Sequence, residues 1–199
     1  MARLAIFIDG GYVEKLAHRL FEGRADYERL AEQVTSAVND ATAEPVDLLR
    51  TFYYAAPPYQ SSPPTDDERE RYAGFRRFQT ALTSIPRFEA RFGRLQRQGT
   101  RSDGSPIFGQ KQVDLLLGLD IALLSGKQQI THAALIAGDR DLVPAVELAK
   151  REGVSVWLFH GPSVAADNQT STYSRELWQV ADDRREIDRA FWDSVRRSF

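Results

Sequence analysis

The chain contains no cysteine, which removes disulfides, thiolate zinc sites and thiol nucleophiles together. It has only three histidines, His18, His132 and His160, widely separated and so offering little for a zinc centre. It lacks long apolar runs. No stretch approaches the roughly 20 residues that span a bilayer, and Asp9 and Glu14 cut the short apolar run at the start, against a signal-peptide pattern. Walker loops, GxGxxG fingerprints and serine-nucleophile motifs are also missing. What is present is an ordinary globular composition over 199 residues, 42% apolar and 27% charged, which suits a single domain with a sizeable core. A soluble, cytoplasmic protein with no membrane partner is expected.

The net charge of −2 argues against strong nonspecific binding to nucleic acid, but the charge is unevenly spread. From Arg69 to Arg101 nine arginines face two acids, Glu70 and Glu89, a local excess of +7. This reads either as a basic surface for a phosphate backbone or as a solvated arginine-rich helix face.

Strand and helix patterns alternate. Arg3–Asp9 and Val46–Ala55 read as strands, as do Phe88–Leu95, His132–Ala137 and Val154–Phe159. Helices are predicted over Tyr12–Phe21, Tyr27–Val38, Asp66–Leu82 (behind a Thr65–Glu68 capping box), Gln110–Ser125, Leu142–Arg151 and most of Arg175–Arg197. The Gln110–Ser125 segment is apolar on nearly every side, which predicts a helix buried on most of its surface. Gly99–Gly109 and Gly161–Ser171 read as loops. The fold class is α/β, a mostly parallel central sheet with helices on both faces.

Five aspartates carry the chemistry. Asp9 closes the first strand and precedes Gly10-Gly11; Asp139 follows the strand ending at Ala137, through Gly138, with Asp141 two residues on. In a parallel sheet such strand ends share one edge, where ligands bind. The competing reading for Asp9 and Asp141 is helix capping. Asp114 interrupts the apolar helix one turn after Lys111, so it belongs either to a site or to a local ion pair. Asp120 lies about 120° further around that helix and is ranked below Asp114, as an outer or structural residue. Clustered carboxylates favour hard divalent ions, and with them hydrolysis of phosphodiesters. Tyr53, Tyr54 and Tyr59 are either base-stacking surfaces or ordinary packing, with packing favoured. A haloacid-dehalogenase-type phosphatase is disfavoured, because position 11 is glycine where that chemistry needs a second aspartate.

Phe7-Ile8-Asp9-Gly10-Gly11-Tyr12, Lys111-Gln112-Val113-Asp114 with Asp120, and Ala137-Gly138-Asp139-Arg140-Asp141-Leu142-Val143-Pro144 resemble, in order and spacing, the NYN domains of the LabA/DUF88 group, relatives of PIN nucleases. Lys150–Val156, Leu177 and Ala181-Asp182 continue the likeness, which covers roughly Arg3–Asp182. The resemblance implies a Rossmann-like PIN fold over residues 1–182, with 183–199 as a helical extension packed on it. It further implies a ribonuclease site dependent on Mg2+ or Mn2+. Asp9, Asp114 and Asp139 would hold the metal, and Asp141 would complete the catalytic set. Lys111, Arg94 and Arg140 are the expected phosphate contacts, and single-stranded RNA the favoured substrate, with DNA as a further possibility and a homo-oligomer open. Two positions depart from the pattern: Tyr12 stands where many relatives carry asparagine, and Ala137 replaces a small hydroxyl residue. The alternative within the group is a regulatory RNA- or protein-binding module with little catalysis.

Overall fold

The computed structural model describes residues 1–100, 106–163 and 172–197. Six parallel strands form the central sheet in the order β3-β2-β1-β6-β7-β8: β1 (Ala2–Asp9), β2 (Val46–Ala55), β3 (Phe88–Phe92), β6 (His132–Ile136), β7 (Ser155–His160) and β8 (Asp183–Glu186). Strands β4 (Arg94–Thr100) and β5 (Pro106–Lys111) form a separate antiparallel hairpin. The helices are α1 (Gly10–Leu16), which runs on as a π turn over Ala17–Phe21, α2 (Tyr27–Asn39), α3 (Asp66–Thr83), α4 (Val113–Gly126), α5 (Val143–Arg151), α6 (Arg175–Val180) and α7 (Arg189–Val195). Among the described residues no helix is long and apolar enough to cross a membrane.

The expected architecture is present, for a physical reason visible in β1. Leu4 to Ile8 are all fully buried, as a central parallel strand covered on both faces requires. Alternate side chains feed two cores. Leu4, Ile6 and Ile8 pack with Tyr53, Trp157 and the buried faces of α1, α2 and α7. Ala5 and Phe7 pack with Phe52, Leu135 and the buried faces of α4, α5 and α6. The Thr65–Glu68 capping box forms as predicted: Glu68 N–H donates to Thr65 Oγ1 (3.2 Å) and Thr65 N–H to Glu68 Oε2 (2.9 Å).

Three expectations need correction. The strand predicted over Phe88–Leu95 stops at Phe92, where Gly93 N–H donates to Ala55 O (2.9 Å) and ends the pairing with β2. The chain then turns into the β4–β5 hairpin, so much of Gly99–Gly109 is strand rather than loop; 101–105 lie outside the described residues. Alternation of residue types marks a strand without saying which neighbour it joins.

The second correction is at the C-terminal end, where Arg175–Arg197 is not one helix. The chain leaves α6 at Ala181 in an extended conformation. Asp182 accepts Val156 N–H (2.9 Å) and pairs with Lys150 (2.9 Å), seating β8 at the edge of the sheet. Asp188 then caps α7, whose Trp192 is buried against Phe21 (5.2 Å between rings). Residues 183–199 thus begin with a strand of the main sheet rather than a helical extension.

The third concerns α4. Its inner face is buried, but Leu115, Leu119 and Leu123 are 61%, 55% and 51% exposed. The helix is covered on one side only.

Candidate active site

The strand order reverses between β1 and β6, so the loops leaving those two strands diverge to opposite faces and open a crevice at their C-terminal ends. Ile8 and Ile136 are partners in register. Asp9 therefore emerges on one lip of the crevice and Asp139, three residues past Ile136, on the other.

Both aspartates cap the turns they begin, as the competing reading held for Asp9. Asp9 Oδ1 accepts Tyr12 N–H (3.1 Å), and Asp139 Oδ1 accepts Asp141 N–H (3.0 Å) at the start of a 3-10 turn over Arg140–Leu142. Asp141 is not a cap: α5 follows Leu142 with no side-chain cap, and Pro144 sits in its first turn. Capping of this kind uses one carboxylate oxygen and aims the other away from the helix, so cap and ligand are compatible roles.

The flanking glycines are required by close packing within the protein. A Cβ at Gly10 would run into the Tyr53 hydroxyl. One at Gly138 would lie 2.5 Å from Thr172 O and 2.6 Å from Tyr12 Cε2. Beside the first contact Ser174 N–H donates to Gly138 O (2.8 Å), and beyond the second Gly161 N–H donates to the Tyr12 hydroxyl (2.8 Å). Tyr12 thus ties α1 to the end of β7. Its hydroxyl is engaged in structure, and the side chain is buried.

Asp114 lies in the first turn of α4, behind Gln112 in a left-handed conformation (φ 72°) that swings the chain out of the hairpin. The four carboxylates share one field. Burial, reinforced by the charge of Asp114, pushes Asp9 up to about 6. Burial, reinforced by Asp139 and Asp141, pushes Asp114 up as well. These interactions set Asp9 near Asp114, and Asp114 near Asp139 and Asp141, so three separate segments bring carboxylates to the same region.

A profile of the NYN domain family matches residues 3–187. The chain belongs to the NYN domain family. Its fold is accordingly that of the PIN-like nuclease superfamily, a parallel sheet with helices on both faces. No curated protein matches the sequence. Among solved structures, the crystal structure of Acinetobacter baumannii MurG aligns at 15% identity with a TM-score of 0.40, covering 92% of this chain and 41% of that one. The NYN chain thus spans about two fifths of the MurG chain, and a likeness this low bears on nothing further.

Within the NYN domain, Asp120 stands apart from the four. It accepts hydrogen bonds from the Tyr54 hydroxyl (2.8 Å) and Arg91 Nε (2.5 Å). The same network removes Arg91 from the basic segment and buries Tyr54, while Tyr53 is buried beneath Gly10; neither tyrosine is open to stack a base. Tyr59 is half-buried in the loop after β2. Other arginines of that segment are also paired: Arg69 with Asp66, Arg71 with Asp67 and Arg87 with Asp47. Four acids from outside the segment, Asp47, Asp66, Asp67 and Asp120, thus offset part of its +7.

Arg94 and Lys111 are partners in register at the root of the hairpin, where it meets the C-terminal ends of β3 and the start of α4. The Lys111 side chain lies outside what the structure describes, so the proposed Lys111–Asp114 ion pair does too. Arg94 and Arg140 are exposed. One cation escaped the sequence reading: Lys15, on the last turn of α1, lowers the pKa of both Asp9 and Asp114. No spacing in the sequence marked it: Lys15 lies six residues past Asp9, about 120° around the helix, and is exposed.

Among the described residues no three His, Asp or Glu side chains are gathered closely enough to hold an ion as they stand. The donor chemistry nevertheless suits one. The groups are all carboxylates, the hard oxygen donors that Mg2+ and Mn2+ prefer, and burial with neighbouring carboxylates raises the pKa of Asp9 and Asp114 despite Lys15.

Proposed function

We propose that this NYN domain is a metal-dependent ribonuclease of the LabA/DUF88 type, acting in the cytoplasm on phosphodiester bonds of single-stranded RNA. The observation that carries the reading is the pair of partly buried carboxylates Asp9 and Asp114 at the switch-point crevice, whose charged forms are destabilised by burial and by neighbouring carboxylates, Asp139 and Asp141 among them. A protein folding around uncompensated carboxylates accepts a stability cost that a bound cation would relieve.

In this reading Asp9, Asp114 and Asp139 hold Mg2+ or Mn2+, and Asp141 either joins them or orients the attacking water. The ion supplies charge neutralisation at the phosphate and a more acidic bound water. Arg140 and the hairpin root, Arg94 and Lys111, meet flanking phosphates, and Lys15 balances charge on the Asp9 side. Hydrolysis adds water at phosphorus, breaks the P–O bond to one nucleotide and leaves a hydroxyl on it. An extended strand reaches the crevice between β1 and β6 more easily than a duplex does.

The test is cleavage of labelled single-stranded RNA in EDTA, Mg2+ or Mn2+, beside Asp9→Asn, together with Mn2+ binding measured by calorimetry. Metal-dependent cutting and metal binding that both disappear in Asp9→Asn support the nuclease. The spacing of the carboxylates favours one other reading, a regulatory RNA- or protein-binding module. A folded wild type that binds RNA but cuts none of it under any metal condition would establish that one.

A further inference from the structure

The outward face of α4 is the least ordinary surface of the molecule. At 100° per residue, Leu115, Leu119, Ala122, Leu123 and Gly126 fall within an arc of about 100° that faces solvent. The arc carries no polar side chain. A surface helix normally puts charged residues there, and a helix apolar on all sides is normally covered on all sides. The two acids of α4 lie elsewhere: Asp114 is turned to the crevice, and Asp120 is held by Tyr54 and Arg91. The inner face, Val113, Leu117, Ile121 and Leu124, is already buried in the core, and Gly118 lies against Ala145 of α5. The fold therefore consumes one side of this helix and leaves the other bare.

We infer that a second copy of this chain covers the bare face, forming a twofold dimer through antiparallel α4 helices. The leucines are spaced symmetrically about Leu119, so a twofold axis there sets Leu119 on Leu119 and Leu115 on Leu123 of the other copy, a self-complementary pattern. The arc has neither the cations that grip phosphates nor the aromatics that stack bases, which argues against nucleic acid as its occupant. Size sets the strength. A 14-residue helix is about 21 Å long, and such a strip buries on the order of several hundred Å2 per copy, below the roughly 800 Å2 of a standard interface. The dimer is accordingly a concentration-dependent one of micromolar affinity. Because Leu115 directly follows Asp114, the interface would also brace the turn that presents that carboxylate.

Sedimentation velocity of the full chain from about 1 to about 200 µM brackets that affinity and should show a monomer–dimer transition. Leu119→Glu should raise the dissociation constant at least about tenfold, with its circular dichroism and melting temperature at low concentration unchanged. Because the chain has no cysteine, Leu119→Cys should give a disulfide-linked dimer on mild oxidation, since two such Cα atoms must come within roughly 7 Å. Glu32→Cys, on the opposite face of the sheet, should not. A dimer that survives Leu119→Glu, or resists cross-linking at 119, would overturn the assignment of the face. A wild type that stays monomeric throughout would overturn the dimer itself; flotation with phosphatidylcholine–phosphatidylglycerol vesicles would then hand the face to a lipid surface. None of these outcomes depends on whether the protein cuts RNA.

Discussion

Asp114 and Asp120 sit six residues apart on one helix, and their surroundings could hardly differ more. Asp120 has a hydroxyl and a guanidinium at hydrogen-bonding distance and a side chain only 15% exposed. Asp114 has burial and two neighbouring carboxylates, with its own backbone N–H and Lys15 in its favour among the described residues. The first carboxylate is balanced by the fold; the second is left for something the fold does not supply. A buried acid with its partners in place is a structural element, whereas one raised by like charges is a candidate for chemistry.

The largest expected effects break this comparison directly. If the ribonuclease reading holds, Asp114→Asn lowers cleavage more than about 100-fold, beyond what loss of an outer residue does, while its thermal melt is unchanged or higher. Asp120→Ala should do the reverse. It keeps the active-site groups but strands Arg91 and the Tyr54 hydroxyl, costing about 2–3 kcal/mol of unfolding free energy by urea titration. A variant of Asp120 with full stability and no cleavage would invert the assignment of the two acids.

Asp9 sharpens the comparison through pH. Its pKa of about 6 in the folded chain exceeds the ordinary 3.8, so the folded state holds this proton more tightly than the unfolded one. Stability from this group is therefore full below about pH 4 and is lost as pH rises through 6. In EDTA at pH 7, Asp9→Asn should be more stable than wild type by about 1–2 kcal/mol, discounted for partial solvent screening, and the gain should vanish near pH 3.5. Asparagine still caps α1, so the helix start is preserved. Added Mn2+ should raise the melting temperature of wild type and narrow the gap. The smallest effect is expected for Lys15→Ala, a several-fold rise in KM for RNA that shrinks with salt, because an exposed cation contributes a screened interaction.

Much of the fold could be read from residue order. The apolar run Leu4–Ile8 announced a strand buried on both faces, and Thr65 with Glu68 announced the start of α3. The candidate aspartates stood out because Asp9 and Asp139 follow strands and Asp114 interrupts an apolar helix. The hairpin was not legible, since Phe88–Leu95 alternates in the same way whether it pairs with β2 or turns away at Gly93. Nor were the Lys15–Asp114 interaction, the Arg91–Asp120–Tyr54 network or the Arg87–Asp47 pair, because each depends on partners distant in sequence.

By itself, the sequence determined most of the strands and helices and which chemistries had no residues to support them. Those are properties of short-range pattern and residue type. The tertiary structure alone decided that Asp114 faces the crevice and Asp120 faces Arg91, and that the apolar helix between them is bare on its outer side. The hydrophobic pattern of α4 is nearly the same all round, so only the packing of β1, β2 and α5 against one side could choose which leucines were buried.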